Sequence, residues 1–302
     1  MELPQIFAAW PALGSHMTTL DGMGRALHLV VGAEHYFLKR RPSAEHALRE
    51  LVVLERLRGK GLPVPEHVRR AGGEVGAPGG LGAREVWCLY RALPGDHYDS
   101  FDGKVGLAQA RRVGKALGEL HVALADVSDT GGFDRYGPEA QLIDELAAAQ
   151  DLYDVARARR IAARITSTAG LPQQLIHRDF HLYNLLFSGD QVSGYLDFDM
   201  LMRGPRLFDL CYCSIETLAK RFDEPAFPDY WFRVLGAIFK GYTERVALTE
   251  LEKKSVVSVM MEIELLFMHH FRAEPIPGRN AERVLHWLDA RRQLIQAIVL
   301  SV

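Results

Sequence analysis

Up to Leu93, apolar residues come in short runs broken by turn formers; beyond Val105 they recur every three or four positions over long stretches. The first pattern is that of strands, the second that of amphipathic helices. Ala26–Val31 and His35–Lys39 read as strands joined by the hairpin signal Gly32-Ala33-Glu34. In the second strand Tyr36 and Leu38 share one face, Phe37 and Lys39 the other. Pro42 stops it, and Ser43 is placed to cap a helix to about Arg58, with Ala47, Leu51, Leu54 and Leu57 as its buried stripe. Glu50 borders that stripe, where a carboxylate requires an opposite charge. Leu20 to Arg25 reads as a turn, glycine-rich Ala71–Gly82 as a loop, and Val86–Tyr90 as a buried strand that Leu93-Pro94-Gly95 ends.

Downstream, Val113, Ala116, Leu117, Leu120 and Leu124 mark one amphipathic helix, and Ala140–Ile165 a further helical stretch. A β-like island, Leu175 to Asp199, interrupts the helices. They resume with Trp231–Tyr242, Leu251–Phe271 and Ala281–Leu300 as the main candidates. The expected architecture is α+β in two lobes: residues 1–93 small and strand-rich, residues 94–302 mostly helical.

Composition narrows the function classes. With 36 basic and 38 acidic side chains and a net charge of -2, nothing points to nucleic acid or an anionic membrane surface. Cys88, Cys211 and Cys213 lack framework or zinc-site spacing and read as buried thiols of a reducing compartment. No export signal or membrane-spanning stretch is evident, so the expected location is the cytoplasm.

The β-like island carries the chemistry. His177-Arg178-Asp179 is followed by Asn184, five residues after the aspartate. Phosphoryl transfer needs a carboxylate beside the attacking hydroxyl and a nearby oxygen ligand for magnesium; Asp179 and Asn184 suit those tasks. The strand-like Val192–Leu196 ends in Asp197-Phe198-Asp199, and Asp197 is the candidate for the metal that bridges nucleotide phosphates. Asp199 is a second-metal or substrate candidate. Upstream, Lys39 on a strand and helical Glu50 eleven residues later match a phosphate-binding lysine held by an ion pair. The backbone around Gly22 and Gly24 can approach the phosphates. His177 is expected to anchor the loop through hydrogen bonds.

These residues resemble the aminoglycoside phosphotransferase group, which includes choline and homoserine kinases. The resemblance rests on HRDFHLYN, on GYLDFD, and on the run Gly204–Leu210, which is similar to the family's G-x-x-x-x-D-L segment. It implies a protein-kinase-like fold, ATP and Mg2+ as cofactors, and a small-molecule hydroxyl as acceptor. Adenine is expected against the Tyr90–Leu93 segment, with Tyr90 and Ala92 as contacts. Asp209 takes a structural role, bracing the catalytic loop. One departure concerns Arg178, where the family usually has glycine.

Competing readings are a Ser/Thr protein kinase, a catalytically silent kinase-shaped binding protein, and a metal-dependent hydrolase. The interval from Asp197 to Asp209 is too short for an activation segment, Asp179, Asn184 and Asp197 are all retained, and a hydrolase gives Lys39 and Glu50 no role. His177 and His181 lack the glutamate and the helix of a zinc motif. Asp96, Asp99, Glu262 and Glu264 could form a negative wall for a cationic acceptor but read as loop polarity and helix solubility; Asp96 is kept as a substrate candidate.

Overall fold

The computed structural model describes residues 6–14, 18–23, 26–79, 84–98, 100–127, 132–135, 153–165 and 170–302. The chain divides into two compact units, Met1–His97 with Leu185–Asp199, and Tyr98–Asn184 with Met200–Val302. The expected order, strands first and helices after, is present.

In the first unit, a short helix α1 (Pro11–Gly14) precedes β1 (Thr18–Met23), β2 (Ala26–Val31) and β3 (Glu34–Arg41). Helix α2 (Ala44–Gly59), β4 (Glu66–Val68), β5 (Ala77–Pro78) and β6 (Val86–Arg91) follow. The strands form one sheet in the order β1-β2-β3-β6-β4, with β5 also on β6, all neighbours antiparallel. Alternation along β3 buries Tyr36 and Leu38 in a core with Leu29, Leu89, Ile6 and Trp10. As expected, the Ser43 hydroxyl caps α2 by accepting the His46 N–H at 3.1 Å.

The segment expected as a turn before the first strand is itself mostly strand. Gly22 lies in β1 opposite Leu27, because the threonine-rich start of β1 extends into an antiparallel pair with β2. Gly24 lies outside the described residues.

The expected division at residues 93 and 94 also differs from the structure. Hairpin β8 (Leu185–Ser188) and β9 (Gln191–Tyr195) groups with the strand-rich unit, and so does the chain up to His97. Asp96 and Phe187 exchange two backbone hydrogen bonds at 2.9 Å, the Ser193 hydroxyl donates to the Pro94 carbonyl at 2.6 Å, and the Tyr195 N–H donates to Pro63 at 2.8 Å. Gly95 makes this contact feasible. Its φ is 125°, and a Cβ there would lie 2.2 Å from the Ser193 hydroxyl.

The second unit holds α3 (Gly103–Ala125), α4 (Val155–Ala162), β7 (Gln173–Ile176), β10 (Met202–Pro205) and α5 (Leu207–Lys220). It ends with α6 (Phe227–Thr243), α7 (Glu250–His270), α8 (Pro275–Ala290) and α9 (Arg292–Leu300). Of the expected helix Ala140–Ile165, the described part is α4; residues 136–152 lie outside the described residues. The expected helix Ala281–Leu300 starts earlier and is interrupted at Arg291. Helices α3 and α6 cross closely, since a Cβ at Gly241 would lie 1.8 Å from the Arg111 carbonyl oxygen. Among the described residues no helix is long and apolar enough to cross a membrane. All three cysteines are buried, and burial pushes the Cys88 thiol up to about 12.

Candidate active site

Each unit carries a polar cluster. In the strand-rich unit, Lys39 stands in β3 opposite Ala26 and Cys88. Its ammonium donates to Asp197 Oδ1 at 3.0 Å. Asp197 follows β9 with φ 60°, the left-handed region that aspartate tolerates better than most residues.

The expected Lys39–Glu50 ion pair is not formed. Glu50 is held by Arg41, whose Nε and Nη2 donate to its two carboxylate oxygens at 2.7 and 2.8 Å; both side chains are buried. The reason is geometric. Arg41 lies two residues beyond Lys39 on the same face of β3, and its planar fork satisfies both oxygens of a buried carboxylate at once. The argument that Glu50 requires a cation stands, but the cation is a different one.

Arg41 also organises its surroundings. Its Nη1 lies 2.5 Å from Asp199 Oδ1, off the N–H direction, so the contact is ionic and not a formed hydrogen bond. The Tyr90 hydroxyl donates to Glu50 at 3.0 Å while its ring faces the guanidinium. Burial pushes the Asp199 carboxyl up to about 6 against the pull of Arg41, with Glu50 and Asp197 adding to the rise. The Ala92 N–H donates to the His35 carbonyl at 2.9 Å. Asp96 has its backbone in the bridge to Phe187 and its side chain exposed.

In the helical unit, the loop from His177 to Asn184 leaves β7 and ends in a 3-10 turn. Asp209, one turn into α5 and fully buried, fixes the start of that loop. Its carboxylate accepts the N–H groups of His177 at 2.7 Å and Arg178 at 2.8 Å. It also faces His121 Nε2 at 3.0 Å, while His121 Nδ1 lies 2.9 Å from the Tyr242 hydroxyl. A carboxylate only accepts, so Nε2 carries a proton and donates it to Asp209, while Nδ1 faces the Tyr242 hydroxyl. His177 Nδ1 accepts the Asp179 N–H at 3.3 Å. Arg178 has φ 66°, which accounts for glycine being usual there in the family the sequence resembles.

Asp179 is aimed from two sides. The Tyr212 hydroxyl donates to Oδ1 at 2.7 Å, and Asn184 Nδ2 donates to Oδ2 at 3.1 Å and to the Asp179 carbonyl at 2.7 Å. Burial would raise the Asp179 pKa, but the hydrogen bonds from His181 and Tyr212 outweigh it and hold the group below the ordinary aspartate value. Asn184 immediately precedes β8, and Asp197 is the second residue after β9.

Sequence reasoning missed Arg41, Tyr212 and Tyr242 as parts of these clusters. Arg41 carried a signal, a second cation on the Lys39 face of the strand. Tyr212 lies three residues beyond Asp209 in α5, a helix not among the main candidates of the sequence pattern. Glu262 and Glu264, considered as wall residues, are buried in α7.

The profile of the phosphotransferase enzyme family matches residues 24–247. The homoserine kinase of Methylocella silvestris is 29% identical over 171 residues, covering 54% of this chain and 50% of that enzyme. The chain thus spans about half the length of this relative. Among solved structures, the amicoumacin kinase hAmiN in complex with AMP-PNP, Ca2+ and Ami superposes with a TM-score of 0.69 at 14% identity, covering 90% of this chain and 89% of that one. A microcompartment-associated aminopropanol kinase gives 0.67 at 17% identity, covering 99% and 97%. These likenesses carry the fold: it is protein-kinase-like, α+β, with a strand-rich N-terminal part and a helical C-terminal part.

Proposed function

Because the chain belongs to the phosphotransferase enzyme family, we propose that it transfers the γ-phosphoryl group of ATP to a hydroxyl of a small molecule. The observation that carries this reading is Asp179, a carboxylate held ionised and aimed by Tyr212 and Asn184 on a loop fixed by Asp209. A loose phosphoryl-transfer transition state asks more for orientation of the nucleophile than for its prior deprotonation. Asp179 orients the acceptor hydroxyl and takes its proton as the new O–P bond forms and the bond from the γ-phosphorus to the bridging oxygen breaks, releasing ADP.

Magnesium is assigned to Asn184 and Asp197, hard oxygen donors of the kind it prefers. The fit is supported by Asp197 already presenting Oδ1 to a cation, the Lys39 ammonium. The bound metal supplies neutralisation of phosphate charge. Lys39, once released from Asp197, offers its ammonium to the phosphates. Glu50 serves this site through Arg41 and not through Lys39. Tyr90 and Ala92 border the adenine; with its N–H given to His35, Ala92 keeps its carbonyl and methyl for the base. Gly22, near the end of β1, brings its backbone N–H towards the phosphates. With ATP as co-substrate, the protein works in the cytoplasm. The homoserine kinase relative points to hydroxy amino acids as acceptors.

The test is thermal unfolding with and without Mg·ATP, beside Asp197→Asn, followed by turnover of Asp179→Asn. A ligand that binds only the folded state at about a hundredfold excess over its Kd adds about 2.7 kcal/mol. A magnesium-dependent rise in Tm that weakens in Asp197→Asn is expected. Asp179→Asn should keep nucleotide binding and lose turnover. Near-normal turnover in that variant sinks the assignment, and the absence of any shift at millimolar nucleotide favours a silent binding protein.

A further inference from the structure

The helical unit contains a cavity of about 410 Å³ built partly from the catalytic loop. Leu182 and Tyr183, the third and fourth residues after Asp179, line it together with Phe101, Glu216 and Lys220. Glu216 stands one turn of α5 beyond Tyr212, whose hydroxyl touches Asp179, and residues four apart share a helix face. The cavity wall therefore continues, about 6 Å further along α5, the surface that holds the catalytic carboxylate.

A cation already occupies one part of this cavity. The Lys220 ammonium lies 3.5 Å from the centre of the Tyr183 ring and pairs with Glu216. The Glu216 side chain is only 12% exposed, whereas that of Lys220 is 46% exposed. A carboxylate with little solvent exposure beside an aromatic face is a seat for an alkylammonium group. The group now filling it hangs on a flexible four-carbon stem, and its end of the ion pair is exposed to solvent, which screens the attraction. Arg221 does not compete for the seat, because it is committed to Asp102 at 2.7 Å and to Glu224 at 2.8 Å.

We propose that Glu216 and the Tyr183 ring bind the ammonium group of an amine-bearing acceptor, and that Lys220 is a built-in competitor which the acceptor displaces. This deepens the reading of Asp179 as the residue that orients the acceptor hydroxyl, and rests on it. Lys220 then sets selectivity: neutral alcohols leave it in place and gain nothing from the seat, while an ammonium-bearing alcohol takes over both of its contacts.

Three four-carbon alcohols test this by calorimetric binding to the full-length protein with Mg·AMP-PNP: 4-amino-1-butanol, 1,4-butanediol and 4-hydroxybutyrate. Lys220→Met should bind the amine about threefold more tightly, since an internal ion pair no longer competes. Lys220→Arg, whose planar fork can hold Glu216 through two hydrogen bonds and stack on Tyr183, should bind the amine no more tightly than the wild type. Glu216→Gln should bind it about tenfold more weakly, and the diol should change less than about twofold in any variant. The proposal is overturned if Lys220→Met weakens the amine, if amine and diol shift together, or if the wild type does not bind the amine. It is equally overturned if the wild type prefers 4-hydroxybutyrate and Lys220→Met loses it, which makes Lys220 a carboxylate anchor. Melting curves with Mg·AMP-PNP separate the two readings. Variants still stabilised by nucleotide leave the phosphotransferase reading intact, whereas a wild type without nucleotide stabilisation removes that reading first.

Discussion

Arg41 and Glu50 join strand β3 to helix α2 through two charge-assisted hydrogen bonds, with both side chains buried. A buried ion pair is costly to break from one side, because the remaining charge has neither water nor partner. Arg41→Met is therefore expected to destabilise the protein by about 3–5 kcal/mol, and Arg41→Lys to recover only part of it for want of the planar fork. Lys39→Ala removes a half-exposed contact to Asp197 and should cost about 1 kcal/mol or less, while abolishing nucleotide stabilisation. Urea unfolding of the variants decides the point: equal losses for Arg41→Met and Lys39→Ala would mean that the pair does not anchor the unit.

Tyr212 acts on Asp179 through one hydrogen bond to Oδ1. Tyr212→Phe removes it while keeping the ring, which also packs on Phe208 and Phe267. Asp179 has its folded pKa depressed, so it contributes stability above the unfolded value near 3.8, lost as pH falls through the folded value. Without the donor, that folded value rises. The acid limb of kcat/KM should then move to higher pH, and kcat should fall about tenfold. An unshifted acid limb would refute the assignment.

Arg178 sits in the left-handed region at φ 66°. Asp209 holds its N–H and that of His177, which keeps the loop in this conformation despite the side chain. Arg178→Gly should relieve the strain, so that stability stays level or rises by up to about 1 kcal/mol, with turnover retained. A large loss of either would show that the guanidinium takes part in the site.

Glu264 is fully buried in α7, and neither carboxylate oxygen has a hydrogen-bond partner among the described residues. Burial raises its pKa well above the ordinary value. For an acid with a raised folded pKa, the unfolded state releases its proton first. Stability is therefore lost as pH rises from about 4.5 towards the folded value, at up to about 1.4 kcal/mol per pH unit. Glu264→Gln lacks this term. Its melting temperature should gain on the wild type steadily between pH 5 and pH 8, and a pH-independent difference between the two would contradict the burial argument.

The parts of the fold set by local pattern were legible. Ser43 capping α2, the β2–β3 hairpin and the alternation of Tyr36 and Leu38 follow from residues within a few positions of one another. Strand β1 was hidden because Gly22 reads as a turn former when its partner Leu27 is unknown. The site residues were legible by type, since a phosphotransferase needs carboxylates, an amide and a lysine. Their partners were not. Lys39 and Glu50 each required an opposite charge, but which cation met which carboxylate depended on the reach of Arg41 along one face of β3. Tyr212 and Glu216 came into view only once α5 had a phase relative to Asp179.

The contact between Gly95 and Ser193 bears on how the protein is made. The hydroxyl of Ser193 and the carbonyl of Pro94 that it meets are 99 positions apart in the chain. At about 5–20 residues per second, a ribosome takes roughly 5–20 s to supply the second after the first. For that interval the nascent chain carries the strands of the N-terminal sheet without β8 and β9, and emits α3 and the loop bearing Asp179 in the meantime. The N-terminal unit thus reaches its final form only after much of the helical unit has been synthesised, so the order of assembly on the ribosome departs from the order of the sequence.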